Sequence, residues 1–314
     1  MSAPIASERI RLHLDAQDDT TISADGADRI TEWRDKGPAG RHFAAHVSAG
    51  RPLRVAGAVR FDPPGTTTAT NLSSQRILQG AGDILNGYPR QVFAVLSRVN
   101  NPPSGNEYGP IVTTLGSAQT RYDSVNHRST IYRDGSFIAM GFSPNWAEER
   151  WHLIHVDLAT TTRAAQVDEG WSVFSDSIGA RVAHNTTSFL GSERLASWSF
   201  PANRLSGDLH ELLVLEGALT VNERTDLLDY FHGRWPNLPF APAAGRTIDI
   251  HGARVARVVL FDWDSPAAHV APPPDSDGQW HTFVPYSVRF GVYYQGAGMQ
   301  PRIEGPYLSD EAPS

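Results

Sequence analysis

Along much of the chain, apolar and polar residues alternate with a period of two, in short runs broken by clusters of Gly, Pro, Asn and Asp. Such runs cover Arg9 to Leu14, Leu53 to Phe61, Gln91 to Val99, Ser129 to Phe142, Trp151 to Leu158 and Leu209 to Leu215. This spacing predicts the short antiparallel strands of a β-sandwich rather than strands alternating with helices. Arg133-Asp134-Gly135-Ser136 predicts a tight hairpin turn within one sheet, because Asp-Gly tolerates the positive φ angles that such a turn demands. One stretch departs from the pattern. Thr220 followed by Glu223 forms a capping box, Leu227, Leu228 and Phe231 recur on one helical face, and Gly233 with Pro236 closes the run. These signals predict a helix over Val221 to His232 near the end of the all-β segment.

The segment Pro236-Asn237-Leu238-Pro239-Phe240-Ala241-Pro242-Ala243-Ala244-Gly245 follows, and its prolines predict an extended connector without a regular ladder. The chain is therefore expected to divide into a large domain over 1–238, a linker over 239–245 and a small β unit over 246–314. In the latter, Arg254 to Phe261, Trp280 to Val284 and Arg289 to Tyr294 predict strands, and Pro272 to Gly278 a turn-rich loop.

Composition changes this picture little. The chain has 314 residues, 40% hydrophobic and 19% charged, which fits a folded chain of two domains and no disordered or collagen-like class. The net charge is -7 and no basic stripe appears, so nucleic acid is not an expected partner. Lys36 is the only lysine. Without cysteine there is no disulfide framework, thiol nucleophile or thiolate metal site. Met1 to Arg11 lacks a basic start followed by an apolar run, and no segment approaches a membrane span, so neither a secretory leader nor membrane insertion is expected.

Several stretches resemble a known family. Leu12-His13-Leu14-Asp15-Ala16 and Ile30-Thr31-Glu32-Trp33-Arg34-Asp35-Lys36-Gly37 are similar to the opening of laminin-G-like, concanavalin-A-like jelly-roll domains of bacterial and phage surface proteins. Gly207-Asp208-Leu209-His210-Glu211-Leu212-Leu213-Val214-Leu215, then Asn222-Glu223-Arg224, Tyr230 and Arg234-Trp235, resemble that family's final strand, helix and tryptophan. Gln91 to Val99, Arg150 to Leu158 and Ser188 to Gly191 fall between them in the family's order. The tail stretches Val258 to Asp264, Asp275 to Trp280, and Gly291 to Tyr294 with Gly305-Pro306-Tyr307 look like small transthyretin-like β-sandwich modules of phage tail-associated proteins. The resemblance implies an all-β fold: a concanavalin-A-like jelly-roll sandwich with one helix near its C-terminal end, then a small transthyretin-like β-sandwich. It also implies a virion surface protein, and places Trp33, Trp151 and Trp235 in the framework.

Catalytic chemistry finds little footing. Glycoside hydrolases of this fold are expected to carry acids at alternate strand positions, Glu-x-Asp-x-x-Glu, and that signature is absent. Asp208 and Glu211 lie three apart on a predicted strand, so regular alternation sends them to opposite faces. His152 and His155 fall on opposite faces for the same reason, with His152 expected in the core beside Ile154 and Val156, and His42 and His46 lie in a loop-like context. No zinc site, nucleophile elbow, Walker loop or dinucleotide fingerprint is predicted. No cofactor is expected, with calcium the one ion that the acidic loops leave open. Asp275-Ser276-Asp277-Gly278 resembles the start of a cation loop, with Asp275 and Asp277 as the candidate ligands, and Asp18, Asp19, Asp25 and Asp28 cluster near the start. However, Tyr286 stands where an EF-hand needs glutamate, and turn-making is the competing reading.

Aromatic rings give the functional lead, because sugar-binding sandwiches stack rings on pyranose faces. Trp146 with Asn145, and Trp198, sit in predicted inter-strand loops and are the candidate ligand-binding residues. The rings fit ligand stacking, subunit contact or packing back onto the sandwich. The expectation is a non-enzymatic structural or adhesive protein on the surface of a phage or phage-like particle, on tail or head, a homo-oligomer contacting other virion proteins and binding bacterial envelope glycans. A purely architectural head-decoration or fibre-base protein is one alternative. A secreted carbohydrate-binding module or glycan-degrading enzyme is another.

Overall fold

A computed structural model of the chain describes residues 3–45, 51–61, 78–82, 84–85, 89–98, 108–114, 118–123, 128–133, 136–142, 150–158, 162–167, 174–177, 187–191, 205, 207–246, 255–264, 268–285, 288–296 and 301–309. Two antiparallel sheets dominate, with strands numbered in chain order. The first sheet runs from β5 (Leu53–Val55) and β6 (Ala58–Phe61) through β17 (Gly207–Glu216) and β8 (Arg90–Ser97). It continues through β13 (Trp151–Leu158) and β14 (Thr162–Val167) to β15 (Phe174–Ser177), and β1 (Ile10–Asp15) also pairs with β17. The second sheet starts with β2 (Ile22–Ala24), β3 (Ile30–Trp33), β4 (Phe43–Ala45), β7 (Leu78–Ala81) and β16 (Thr187–Leu190). It ends with β9 (Tyr108–Thr114), β10 (Ala118–Asp123), β11 (Arg128–Arg133) and β12 (Ser136–Phe142). Arg133 pairs with Ser136, the register a two-residue hairpin turn produces.

The inner faces of the two sheets share one core. Val92, Leu96 and Leu212 of the first sheet belong to the same buried cluster as Trp33, Phe43 and Leu78 of the second. Each such side chain contributes about 1.5 to 3 kcal/mol by leaving water. This is the all-β sandwich that the alternation predicts, in the jelly-roll form that the resemblance implies. His152 sits fully buried on this inner face, in register with Leu96, while His155 turns to the opposite face and stacks on Phe93 at 4.1 Å.

The outer face of the first sheet is also apolar, and the helix covers it. Helix α1 (Val221–Arg234) starts at the Thr220–Glu223 capping box and buries Leu227, Leu228 and Phe231 on Phe93, Val95 and Leu213. It passes through Gly233 and ends at Trp235, one residue before Pro236, whose ring disfavours a helical residue ahead of it.

The expected linker over 239–245 is corrected by the structure. Phe240–Arg246 forms β18, pairing antiparallel with β21 (Gln279–Pro285), with Pro242 opposite Phe283. Pro242 is tolerated because β18 is an edge strand in a two-stranded sheet, where one side of the ladder needs no donor. Four strands form the facing sheet, in the order β20 (Ala268–Val270), β19 (Val255–Asp262), β22 (Arg289–Gly296), β23 (Arg302–Leu308). Ala243, Val258, Leu260, Trp280 and Val292 fill the space between these two sheets. Phe240 and Phe283 instead join the helix cluster, so the small sandwich is seated on α1.

Candidate functional site

The motifs at the two ends of the jelly roll converge on one buried polar network, because β1 pairs with β17. Glu211 is wholly buried and accepts from the Tyr230 hydroxyl (2.6 Å) and Trp235 Nε1 (2.7 Å). It also contacts His13 Nε2 (2.8 Å) and Arg234 Nε (3.2 Å). Three hydrogen-bonding partners and the Arg234 charge thus engage both carboxylate oxygens. Asp15, also wholly buried, takes hydrogen bonds from Lys36 Nζ (2.8 Å), from Arg234 and from the Gln17 amide. Burial opposes its charge, but Lys36 and Arg234 outweigh that and hold its carboxyl below the ordinary range. Asp35 accepts backbone N–H groups of His13, Gly37 and Arg41 at 2.7 to 2.9 Å, tying β1 to the loop after β3. The only lysine therefore bridges two acids, Asp15 and Asp18.

One sequence expectation fails here. Leu209 pairs with Leu96 and Glu211 with Val95, leaving His210 as an extra residue, a β-bulge in β17. The bulge resets the alternation, so Asp208, in register with Ser97, lies on the same helix-side face as Glu211 rather than the opposite one. Sharing a face does not make them a catalytic pair. Asp208 is held bidentately by Arg60 at 2.7 and 2.8 Å, and Glu211 is closed in beneath the helix. His210 donates from Nδ1 to the Gly57 carbonyl (2.8 Å), accepts at Nε2 from Ser97 (2.7 Å) and stacks on Trp151 at 3.8 Å. Burial pulls its pKa down to about 4 against the pull of the Gly57 carbonyl and Asp208, so the ring stays neutral.

The candidate ligand residues Trp146, Asn145 and Trp198 lie outside the described residues, as do His46 and the turn residues Asp134 and Gly135. The calcium candidates are described. Asp275 accepts the amides of Asp277 (2.9 Å) and Gln279 (2.8 Å) in a turn leading into β21. This is the turn-making role of an Asx motif, and among the described residues no three acidic or histidine groups gather as a metal cluster. Asp18 caps Thr20, and Asp25 accepts two backbone amides and pairs with Arg51.

Among the described residues, two concave surfaces lie against the small sandwich, on either side of the β18–β21 ribbon. One is a cleft of about 680 Å³ between the start of α1 and the ribbon, lined by Asn222, Asp226, Gln279, Trp280 and His281. Two contacts close it at the helix. Arg224 donates to His269 Nδ1 (2.7 Å), whose Nε2 hydrogen bonds Thr282 (2.8 Å), and His281 pairs with Asp229 (2.8 Å). An arginine can donate to a histidine only if the ring is neutral, and burial, with Arg224 beside it, keeps the His269 pKa well below its ordinary value.

The second concavity is a groove of about 420 Å³ on the open side of the small sandwich. Glu304 and Tyr307 of β23 sit on its wall beside Trp280, Phe290 and Tyr294. These two residues are also three apart, and again a bulge reunites them. Val292 pairs with Glu304 and Phe290 with Tyr307, so both face inward. Gly305 makes this possible: its φ of +117° and the 2.9 Å approach a Cβ would make to the Phe290 carbonyl both exclude a side chain. Sequence reasoning identified these aromatics as marks of a module and missed Glu304, whose face depends on that bulge.

No protein-family model and no curated protein matches the chain. Among solved structures, the Trypanosoma rangeli sialidase in complex with sialic acid is similar at 15% identity and a TM-score of 0.47, over 73% of this chain and 34% of its own. This chain thus spans about a third of that enzyme. The botulinum neurotoxin serotype D binding domain is similar at 8% identity and a TM-score of 0.47, over 92% of this chain and 72% of that one. At these values the function of neither protein carries over.

Proposed function

We propose that the chain is a non-enzymatic structural or adhesive protein on the surface of a phage or phage-like particle, one that binds bacterial envelope glycans as part of a homo-oligomer. The observation that carries the non-enzymatic part is the fate of the jelly-roll acids. Glu211 and Asp15 have their oxygens taken by framework donors, and Asp208 is bound to Arg60. Catalysis by two carboxylates needs one free nucleophile or base and one free acid facing a common cleft. The open concavities are lined by rings together with polar and acidic groups, Asp226 and Asp275 in one and Glu304 in the other, a mixture that suits reversible sugar contact. The particle assignment rests on the resemblance of both halves to virion surface modules.

One observation favours a second, purely architectural reading. Ile303 and Leu308 expose 61% and 66% of their surface on the edge strand β23, an apolar strip of the kind that protein partners cover. Gold-labelled antibody imaging of particles from the source culture tests both. Label at a tail tip, with retention of the protein on immobilised envelope polysaccharide and no release of reducing ends, is the expected result. Head label without retention supports the architectural reading. Bare particles overturn the virion assignment, and released reducing ends overturn the non-enzymatic one.

A further inference from the structure

We propose that the open groove of the small sandwich is a saccharide site that takes a neutral pyranose ring, with Tyr307 as the stacking platform and Glu304 as the polar contact. This rests on the glycan-binding reading above and gives it an address. The groove exists because the two facing sheets differ in width: β18 and β21 cover less than β19, β20, β22 and β23 present. Among the described residues the inward side of the edge strand β23 is left uncovered, and there Tyr307 keeps 44% of its surface exposed with Phe290 behind it at 5.6 Å.

The chemistry of the walls selects the occupant. Trp280 is 6% exposed and its Nε1 is sealed from solvent, so the indole lines the groove as an apolar surface. Glu304 offers acceptor oxygens in the same groove. It is held by Arg302 at 2.6 Å, by the Tyr307 hydroxyl at 3.2 Å and by the Tyr294 hydroxyl, which of about four acceptor positions on a carboxylate leaves one open. Burial, reinforced by Glu304, pushes the Tyr294 phenol up to about 12, so it stays a neutral hydroxyl at ordinary pH. A ligand must therefore lay a C–H face on a ring and donate a hydroxyl to a carboxylate. A pyranose does both. An anionic sugar meets the Glu304 charge, and an aliphatic chain leaves the carboxylate unmatched. A volume of about 420 Å³ lies within the range of small-ligand sites, about 300 to 1,000 Å³.

The test follows the Trp280 indole N–H by nuclear magnetic resonance in the full chain while cellotetraose, mannotetraose and chitotetraose are added in turn. The expected result is that at least one moves that resonance saturably, and that Glu304→Gln and Tyr307→Ala each weaken binding roughly tenfold. Trp263→Ala, which removes an exposed ring elsewhere, leaves the affinity unchanged. Binding that persists undiminished in both groove variants places the sugar elsewhere and overturns the assignment while the adhesion reading stands. If none of the three sugars moves the resonance, the groove assignment falls. Retention on envelope polysaccharide then separates a wrong groove (protein retained) from a wrong reading (protein not retained).

Discussion

In β17 the extra residue His210 brings Asp208 and Glu211 onto one face of the jelly roll, and in β23 the bulge at Gly305 does the same for Glu304 and Tyr307. The outcomes diverge because of what lies over each strand. Helix α1 seals Glu211, supplying the Tyr230 hydroxyl, the Arg234 charge and, just beyond its end, the Trp235 indole N–H, while Arg60 holds Asp208. Nothing among the described residues lies over the second pair, because the sheet facing β23 has only two strands. A bulge thus sets where side chains point, and the layer above decides whether they become scaffold or site.

The comparison breaks most visibly if Glu211 is removed. Glu211→Ala leaves Arg234 without one of its buried counter-charges and His13, Tyr230 and Trp235 without their acceptor, so we expect a loss of about 3 to 5 kcal/mol in urea denaturation. Asp208→Ala breaks a pair whose Arg60 side chain is 23% exposed, so its cost is expected to be smaller, about 1 to 2 kcal/mol. Equal costs for the two would mean that helix coverage does not distinguish them.

Acid is the next lever on the sealed face. His210 has a folded pKa of about 4 against 6.5 in the unfolded chain. Above 6.5 neither state is protonated there and the stability is complete. As pH falls from 6.5 to 4 the unfolded chain takes up a proton that the folded chain refuses, removing about 3 kcal/mol from this group alone. His232 and His269 are shifted in the same direction by burial. Denaturation at stepped pH should therefore show stability falling across this window. His210→Gln, which can still donate to Gly57 and accept from Ser97, should flatten the slope by one proton. An unchanged slope in that variant would contradict a neutral buried ring.

A smaller effect is expected at the cap that secures the covering helix. Thr220 accepts from the Glu223 amide, and the Glu223 carboxylate returns the bond to the Thr220 amide. Thr220→Ala should cost about 1 kcal/mol in thermal or urea unfolding, without altering the groove.

These elements also show what the sequence can carry. The cap, the strand Trp151–Leu158 and the hairpin register at Arg133 and Ser136 are written in residues close together in the chain, and they read directly. The jelly-roll motifs were legible as motifs, but their convergence on Glu211 and Asp15 depends on β1 meeting β17, some 200 residues away. Face assignment failed where a bulge interrupts the period of two, because a bulge is a property of the pairing between strands and not of one strand's pattern. Pro242 of β18 misled in a similar way: it forbids a central strand, not an edge one. Glu304 was invisible for both reasons at once, lying on an edge strand and beside a bulge.

The smallest expected effect sharpens the contrast between the two bulges. Glu304 is partly exposed and its ion pair with Arg302 stands at the surface, where the Arg302 side chain is 68% exposed. Pairs in such positions contribute little, because water and salt screen the attraction and two long side chains must be ordered to form it. Glu304→Gln should therefore change stability by less than about 0.5 kcal/mol in the same urea assay that registers Glu211→Ala. A loss approaching that of Glu211→Ala would mean that Glu304 is framework, like the acids under the helix, and that the β23 bulge builds scaffold too. A near-zero change leaves Glu304 a carboxylate that folding does not need, on a wall that folding leaves open.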